Sequence, residues 1–267
     1  MCGRCSGSVA PLAEVPFTYL AHLVTVPVTL NGAEVTFVLD SGIGLTIVRD
    51  PAACALTGAT FSGKRMSGQE VTVPLAVVPS LGFAGDERRD VEVGLLDMSG
   101  FPSELDDIGG FLSLAHFAAT TLTVDYPRAV VSVGARAAGT AVPMRVELDG
   151  PSVCVFAPLT LPDGREIEVE VDMGSDSLIL DERFAELGAG EVRRVDGTDE
   201  TGNRYTRRFT QLPGRIHVTG FPELGQDDPG VMFQRIIQDG LVGDAFLRRF
   251  TVTFDVPGAS LLLEPAG

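Results

Sequence analysis

Two sequence blocks each occur twice in this chain, in the same order and at nearly the same spacing, and nothing else in the sequence restricts the fold as strongly. The first block is a hairpin that runs into an aspartate. In the N-terminal half, residues 22–30 alternate, Asn31-Gly32 turns the chain, and residues 33–39 lead to Asp40-Ser41-Gly42. Asn-Gly between alternating runs is a strong hairpin signal, because both central positions of a type I′ turn need positive φ. In the C-terminal half, residues 153–161 meet Pro162-Asp163-Gly164, and residues 166–171 lead to Asp172-Met173-Gly174-Ser175. There Ile167, Val169 and Val171 alternate with Glu166, Glu168 and Glu170. That period of two predicts a half-buried strand with the glutamates on its solvent side.

The second block is a glycine-containing apolar segment. Its first copy runs from Gly109 through Leu112-Ser113-Leu114 to Phe117, and its second from Asp239 through Leu241-Val242-Gly243 to Leu247. Each copy continues into a similar strand, ending Val124-Asp125-Tyr126-Pro127 and Phe254-Asp255-Val256-Pro257. Asp40 precedes Asp125 by 85 residues and Asp172 precedes Asp255 by 83. The sequence between the blocks is rich in glycine and in strand formers, with hairpins expected within residues 61–78 and 192–209, the latter turning near Thr201-Gly202-Asn203, and a further strand at 91–97. Short helices are expected at 50–56, 181–187 and 244–249. The chain of 267 residues is long enough for two core-bearing halves. The expected organisation is a flexible N-terminal tail at 1–16, one lobe at 17–136 and a second at 141–267, mainly β throughout.

Charge and composition exclude several function classes. The formal net charge is −16, and the basic pairs Arg193-Arg194, Arg207-Arg208 and Arg248-Arg249 are diluted by acids. A nucleic-acid partner is not expected without a basic stripe, nor is an anionic membrane surface. No apolar run is long enough to span a bilayer. No charged segment followed by an apolar core marks an export signal, so a cytoplasmic location is expected. Cys2 and Cys5 form an isolated Cys-x-x-Cys in the tail, without the second ligand pair that a zinc site needs. Cys54 and Cys154 are expected to be small buried hydrophobes. His116 is expected to be a satisfied core or helix residue. There is no Gly-x-Ser-x-Gly nucleophile elbow and no phosphate-binding glycine loop with a lysine. The pairs Asp106-Asp107 and Asp227-Asp228 lack the spacing of a calcium loop. No metal or organic cofactor is expected.

An apolar strand ending in Asp-Ser/Thr-Gly, followed by an apolar-apolar-Gly segment before a helix and strand, resembles the aspartic proteases. The C-terminal half is similar to the retropepsin-like enzymes, and the tandem resembles pepsin in layout, over residues 22–264. The resemblance implies two pseudo-symmetric acid-protease-like β lobes with short helices and an active-site cleft between them. It implies catalysis by Asp40 and Asp172, with Ser41, Gly42, Met173, Gly174 and Ser175 shaping the two loops, and a flap within residues 61–78. The implied activity is that of an endopeptidase acting on an extended peptide or unfolded protein. The tandem needs no second chain, so a monomer is expected. Three positions depart from the family pattern. Met173 replaces the Ser or Thr of the second triplet and cannot donate its hydrogen bond. Ser113 stands where the other half has Gly243, and the flap segment has no tyrosine. Retropepsins manage without that tyrosine; Met173 and Ser113 give the alternative expectation, a catalytically weakened peptide-binding or scaffold protein of the same fold.

Overall fold

A computed structural model describes residues 13–135, 138–198 and 204–266. The protein is mainly β, 60% strand against 8% helix, and among the described residues the one α-helix is the single turn Asp244–Leu247. No helix among the described residues is long and apolar enough to cross a membrane.

The hairpins predicted from the repeat are present. Strand Leu23–Leu30 turns at Asn31 (φ 51°) and Gly32 (φ 85°) and pairs with strand Ala33–Asp40, Leu30 facing Ala33. In the other half, strand Ser152–Thr160 pairs with strand Glu166–Val171. The predicted hairpin at 61–78 is longer, formed by strands Ala55–Lys64 and Glu70–Phe83. The hairpin at 192–209 is formed by strands Ala189–Thr198 and Arg204–Gln211, and the turn expected at residues 201–203 lies outside the described residues.

The pairing scheme of the first half recurs in the second. Strand Ala33–Asp40 runs parallel to strand Gly110–Ser113, which is crossed antiparallel by strand Ile47–Val48. Strand Glu166–Val171 likewise runs parallel to strand Gly240–Val242, which is crossed by strand Leu178–Asp181. Parallel neighbours cannot be joined by a tight turn, so some 70 intervening residues of each half make the return.

A third sheet joins the halves. Its order is Glu14–Pro16, Val130–Val133, Thr121–Asp125, Phe250–Asp255, Ser260–Pro265 and Thr140–Pro143. At its centre the two similar strands predicted to end each repeat pair antiparallel, Thr123 opposite Thr253 with their hydroxyls 2.8 Å apart. Leu122, Val124, Val252 and Phe254 of this pair are fully buried in one apolar core shared by both halves. Removing these apolar side chains from water favours the pairing of the two halves.

Several expectations need correction. The tail does not extend to residue 16, because Glu14–Pro16 pair with Val130–Val133 at the edge of the joining sheet. Residues 1–12, with Cys2 and Cys5, lie outside the described residues. The expected helices at 50–56 and 181–187 are 3₁₀ turns, Pro51–Ala53 and Glu182–Leu187, each capped by the preceding aspartate side chain. Cys54 and Cys154 are half-buried free thiols rather than core residues.

The Asn31-Gly32 turn offers a clean test of local strain. Nothing lies within 4 Å of a Cβ added to Gly32. The Gly32→Ala variant is therefore expected to lose about 1–2 kcal/mol for the left-handed backbone alone, read as a lower urea midpoint with an unchanged slope.

Candidate active site

Asp40 ends the strand Ala33–Asp40 opposite Ser113 of its parallel neighbour. Asp172 follows the strand Glu166–Val171, its N–H donating to the Val242 carbonyl at 3.0 Å. The parallel pairing in each half thus carries one aspartate to the seam between the halves, where Asp40 is buried, Asp172 keeps partial exposure, and each carboxyl acts on the other.

The loops after the aspartates match. Gly42 N–H donates to Asp40 Oδ1 at 2.8 Å, and Gly174 N–H donates to Asp172 Oδ1 at 2.8 Å. Each glycine lies against the opposite carboxyl: a Cβ on Gly42 would collide with Asp172, and one on Gly174 would sit 2.5 Å from Asp40 Oδ2. The carboxyls can meet only because neither position has a side chain.

Ser41 clasps the two loops together. Its buried hydroxyl donates to the Val171 carbonyl at 2.6 Å and accepts from the Met173 N–H at 2.9 Å. Met173 returns no such bond; its side chain is 1% exposed within the shared core. The clasp is one-sided, as the missing hydroxyl predicts, and Met173 supplies packing in its place. Ser175 is buried beside the second loop, its carbonyl accepting the Asp244 N–H at 2.9 Å. Ser113 is not a defect. Its side chain lies 3.1 Å from the Thr46 hydroxyl and accepts the Ala115 N–H at 3.2 Å, capping the 3₁₀ turn Leu114–Phe117.

Burial sets the electrostatics. Asp172 is held well above the usual carboxylate range, first by desolvation and then by the charges of Asp40 and Glu170. Asp40 is also raised by desolvation, but hydrogen bonds from the Gly42 and Ile43 backbone and from Asp172 oppose the rise. Both carboxyls are raised and each acts on the other, so the two titrate as one pair that favours holding a single proton.

Two neighbours escaped the sequence reading. His22 places Nε2 3.1 Å from the Gly174 carbonyl, and no local motif marks it. Glu170 was expected on the solvent face, yet it is 6% exposed. The signal was there: Glu170 lies two residues before Asp172, so the period of two puts both on one face. Its carboxylate accepts from Gln238 Nε2 at 2.9 Å, and burial with the charges of Asp40 and Glu147 pushes it up to about 7. His116 is buried as expected but not satisfied. Neither ring nitrogen meets a protein partner, and burial holds it down to about 4, the form that costs least without one.

The predicted flap segment reaches across the seam. The hairpin turn is closed by Gly68 N–H donating to the Arg65 carbonyl at 2.8 Å, and the Met66 carbonyl accepts the Ile237 N–H of the C-terminal half at 2.9 Å. Met66 packs on the apolar cluster of Ile179, Met232, Ile236 and Leu241. Among the described residues no cluster of side chains could hold a metal ion. No family model matches the chain, and no curated protein matches it.

Two outcomes follow from this geometry. Ser41→Ala strands the buried Val171 carbonyl and Met173 N–H and is expected to cost about 1–3 kcal/mol in urea unfolding. Asp172→Asn tests the shared proton. A carboxyl raised in the folded state contributes its stability fully below the unfolded pKa and loses it as pH rises through the folded value. The variant should gain on the wild type by roughly 1.4 kcal/mol per pH unit across that window. Urea midpoints that move in parallel from acid to neutral pH would show that no proton is shared.

Proposed function

We propose that the chain is an aspartic endopeptidase, built as two pseudo-symmetric lobes with the peptide lying in the cleft between them. One observation carries this reading: Asp40 and Asp172, contributed by the two copies of one repeat, meet as a desolvated, mutually coupled carboxyl pair, each against the other's glycine. Two carboxyls about 3 Å apart cannot both ionise and so share one proton. That state suits the hydrolysis of an amide without a covalent intermediate.

In the proposed reaction Asp40, ionised, takes a proton from a water as its oxygen attacks the scissile carbonyl carbon. Asp172, protonated, donates to the carbonyl oxygen as negative charge develops there. As the C–N bond breaks, Asp40 gives its proton to the leaving amine, and one hydroxyl of the tetrahedral intermediate returns its proton to Asp172 as the carbonyl re-forms in the new carboxyl group. The hairpin with Met66 at its tip covers the pair and limits water around the substrate. An extended peptide would bind by backbone pairing with flanking strand edges.

The alternative is a peptide-binding or scaffold protein with the same lobes, and Met173 favours it by leaving the clasp one-sided. Hydrolysis of an unfolded protein such as reduced casein, followed by mass spectrometry from about pH 3 to about pH 8, separates the two. The expected result is cleavage that a statine-containing peptide inhibits and that both Asp40→Asn and Asp172→Asn abolish. Cleavage surviving in either variant refutes the dyad. Binding of the inhibitor without cleavage selects the scaffold reading. Because Glu170 helps hold Asp172 protonated, Glu170→Gln is expected to move the alkaline limb of the kcat/KM profile to lower pH.

A further inference from the structure

The position two residues before each aspartate differs between the halves in a way that bears on substrate choice. Val38 stands there in the first half, opposite Phe111 of the parallel neighbour strand. It belongs to a buried apolar cluster with Leu45, Ile47, Val73 and Leu75. Glu170 occupies the same place in the second half, opposite Leu241. The cluster beside it is smaller, and polar groups complete its surroundings.

Those groups include buried polar atoms without a protein partner. The Glu170 carboxylate accepts a hydrogen bond from Gln238 Nε2 at 2.9 Å. Gln238 Oε1 is buried and has no protein partner, and the same holds for Ser67 Oγ at the tip of the covering hairpin. Residues 237 and 66, the neighbours of these two side chains, are joined by the backbone bond from Ile237 N–H to the Met66 carbonyl. The charges acting on Glu170 are those of the acids Asp40, Glu147 and Asp172. No basic side chain among the described residues forms an ion pair with it. Arg207, on the adjoining hairpin, donates to Gln234 at 3.0 Å and stacks over Tyr205. A buried acid without a cation is costly, and leaving buried acceptors unpaired adds to that cost.

We propose that Glu170, with Gln238 Oε1, is a specificity-determining site that receives a basic substrate side chain, lysine or arginine, on one side of the scissile bond. The Val38 cluster receives an apolar side chain on the other. An ammonium or guanidinium group would supply both the missing charge and the missing donors. The inference rests on the aspartic-peptidase reading of the cleft.

The test uses hydroxyethylene peptides, which bind such a cleft but are not cut, with lysine or its uncharged isostere norleucine on either side of the isostere. Calorimetry on the full chain should show lysine preferred by at least about tenfold in one placement only. That preference should fall severalfold in Glu170→Gln, which retains the volume, and vanish in Glu170→Leu. If either variant fails to fold, the other carries the comparison, and the two placements on the wild type still decide it. Binding without a lysine preference, or with the preference intact in the variants, overturns the basic subsite and leaves the peptidase reading standing. No binding by any of the peptides, together with no cleavage of casein, overturns both.

Discussion

Two carboxyl groups brought together at the seam between the halves are the constraint to which the rest of the structure answers. Asp40 and Asp172 repel when both are ionised, and the interior offers little water to screen them. They remain together because one proton is shared and because backbone N–H groups of Gly42 and Gly174 bind them. The two glycines leave room for the approach, and Ser41 ties one loop to the other. Removing any of these parts relaxes a contact that carboxylates would otherwise avoid.

The surrounding architecture makes that contact affordable. In each half a parallel strand pair fixes where the aspartate ends, and the central pair of the joining sheet fixes how the halves face each other. Met173 shows how the second loop holds without the hydroxyl expected there. Its side chain is packed into the shared core, so dispersion and burial substitute for one hydrogen bond. The asymmetry between halves continues at Val38 and Glu170, where one side of the seam is apolar and the other polar. A duplicated scaffold can keep its backbone symmetric while its side chains diverge, since strand pairing depends on main-chain groups.

Much of the fold was legible in advance. Asn31-Gly32 forecast its hairpin because only a few residues accept positive φ at both turn positions, and the structure has that turn. The recurring blocks forecast recurring pairings. Other elements were not legible. The edge strand Glu14–Pro16 has too few residues to show a period, and only its partner Val130–Val133 makes it a strand. The glutamates of 166–170 looked alike, yet Glu168 is exposed and paired with Arg145 while Glu170 is buried under Gln238. Ser113 looked like a flaw in the repeat and turned out to cap a 3₁₀ turn.

The sequence by itself determined the mainly β class, the duplication and the two aspartates, because turn chemistry and strand periodicity are local properties written in adjacent residues. The tertiary structure alone decided that the aspartates touch, that both are raised, that the support is one-sided but packed, and that Glu170 joins them. Those outcomes depend on burial and on contacts between residues some 130 positions apart, such as Ser41 with Val171 and Met173. No local pattern encodes the dielectric or the neighbours that a side chain will meet once the two halves close on a common core.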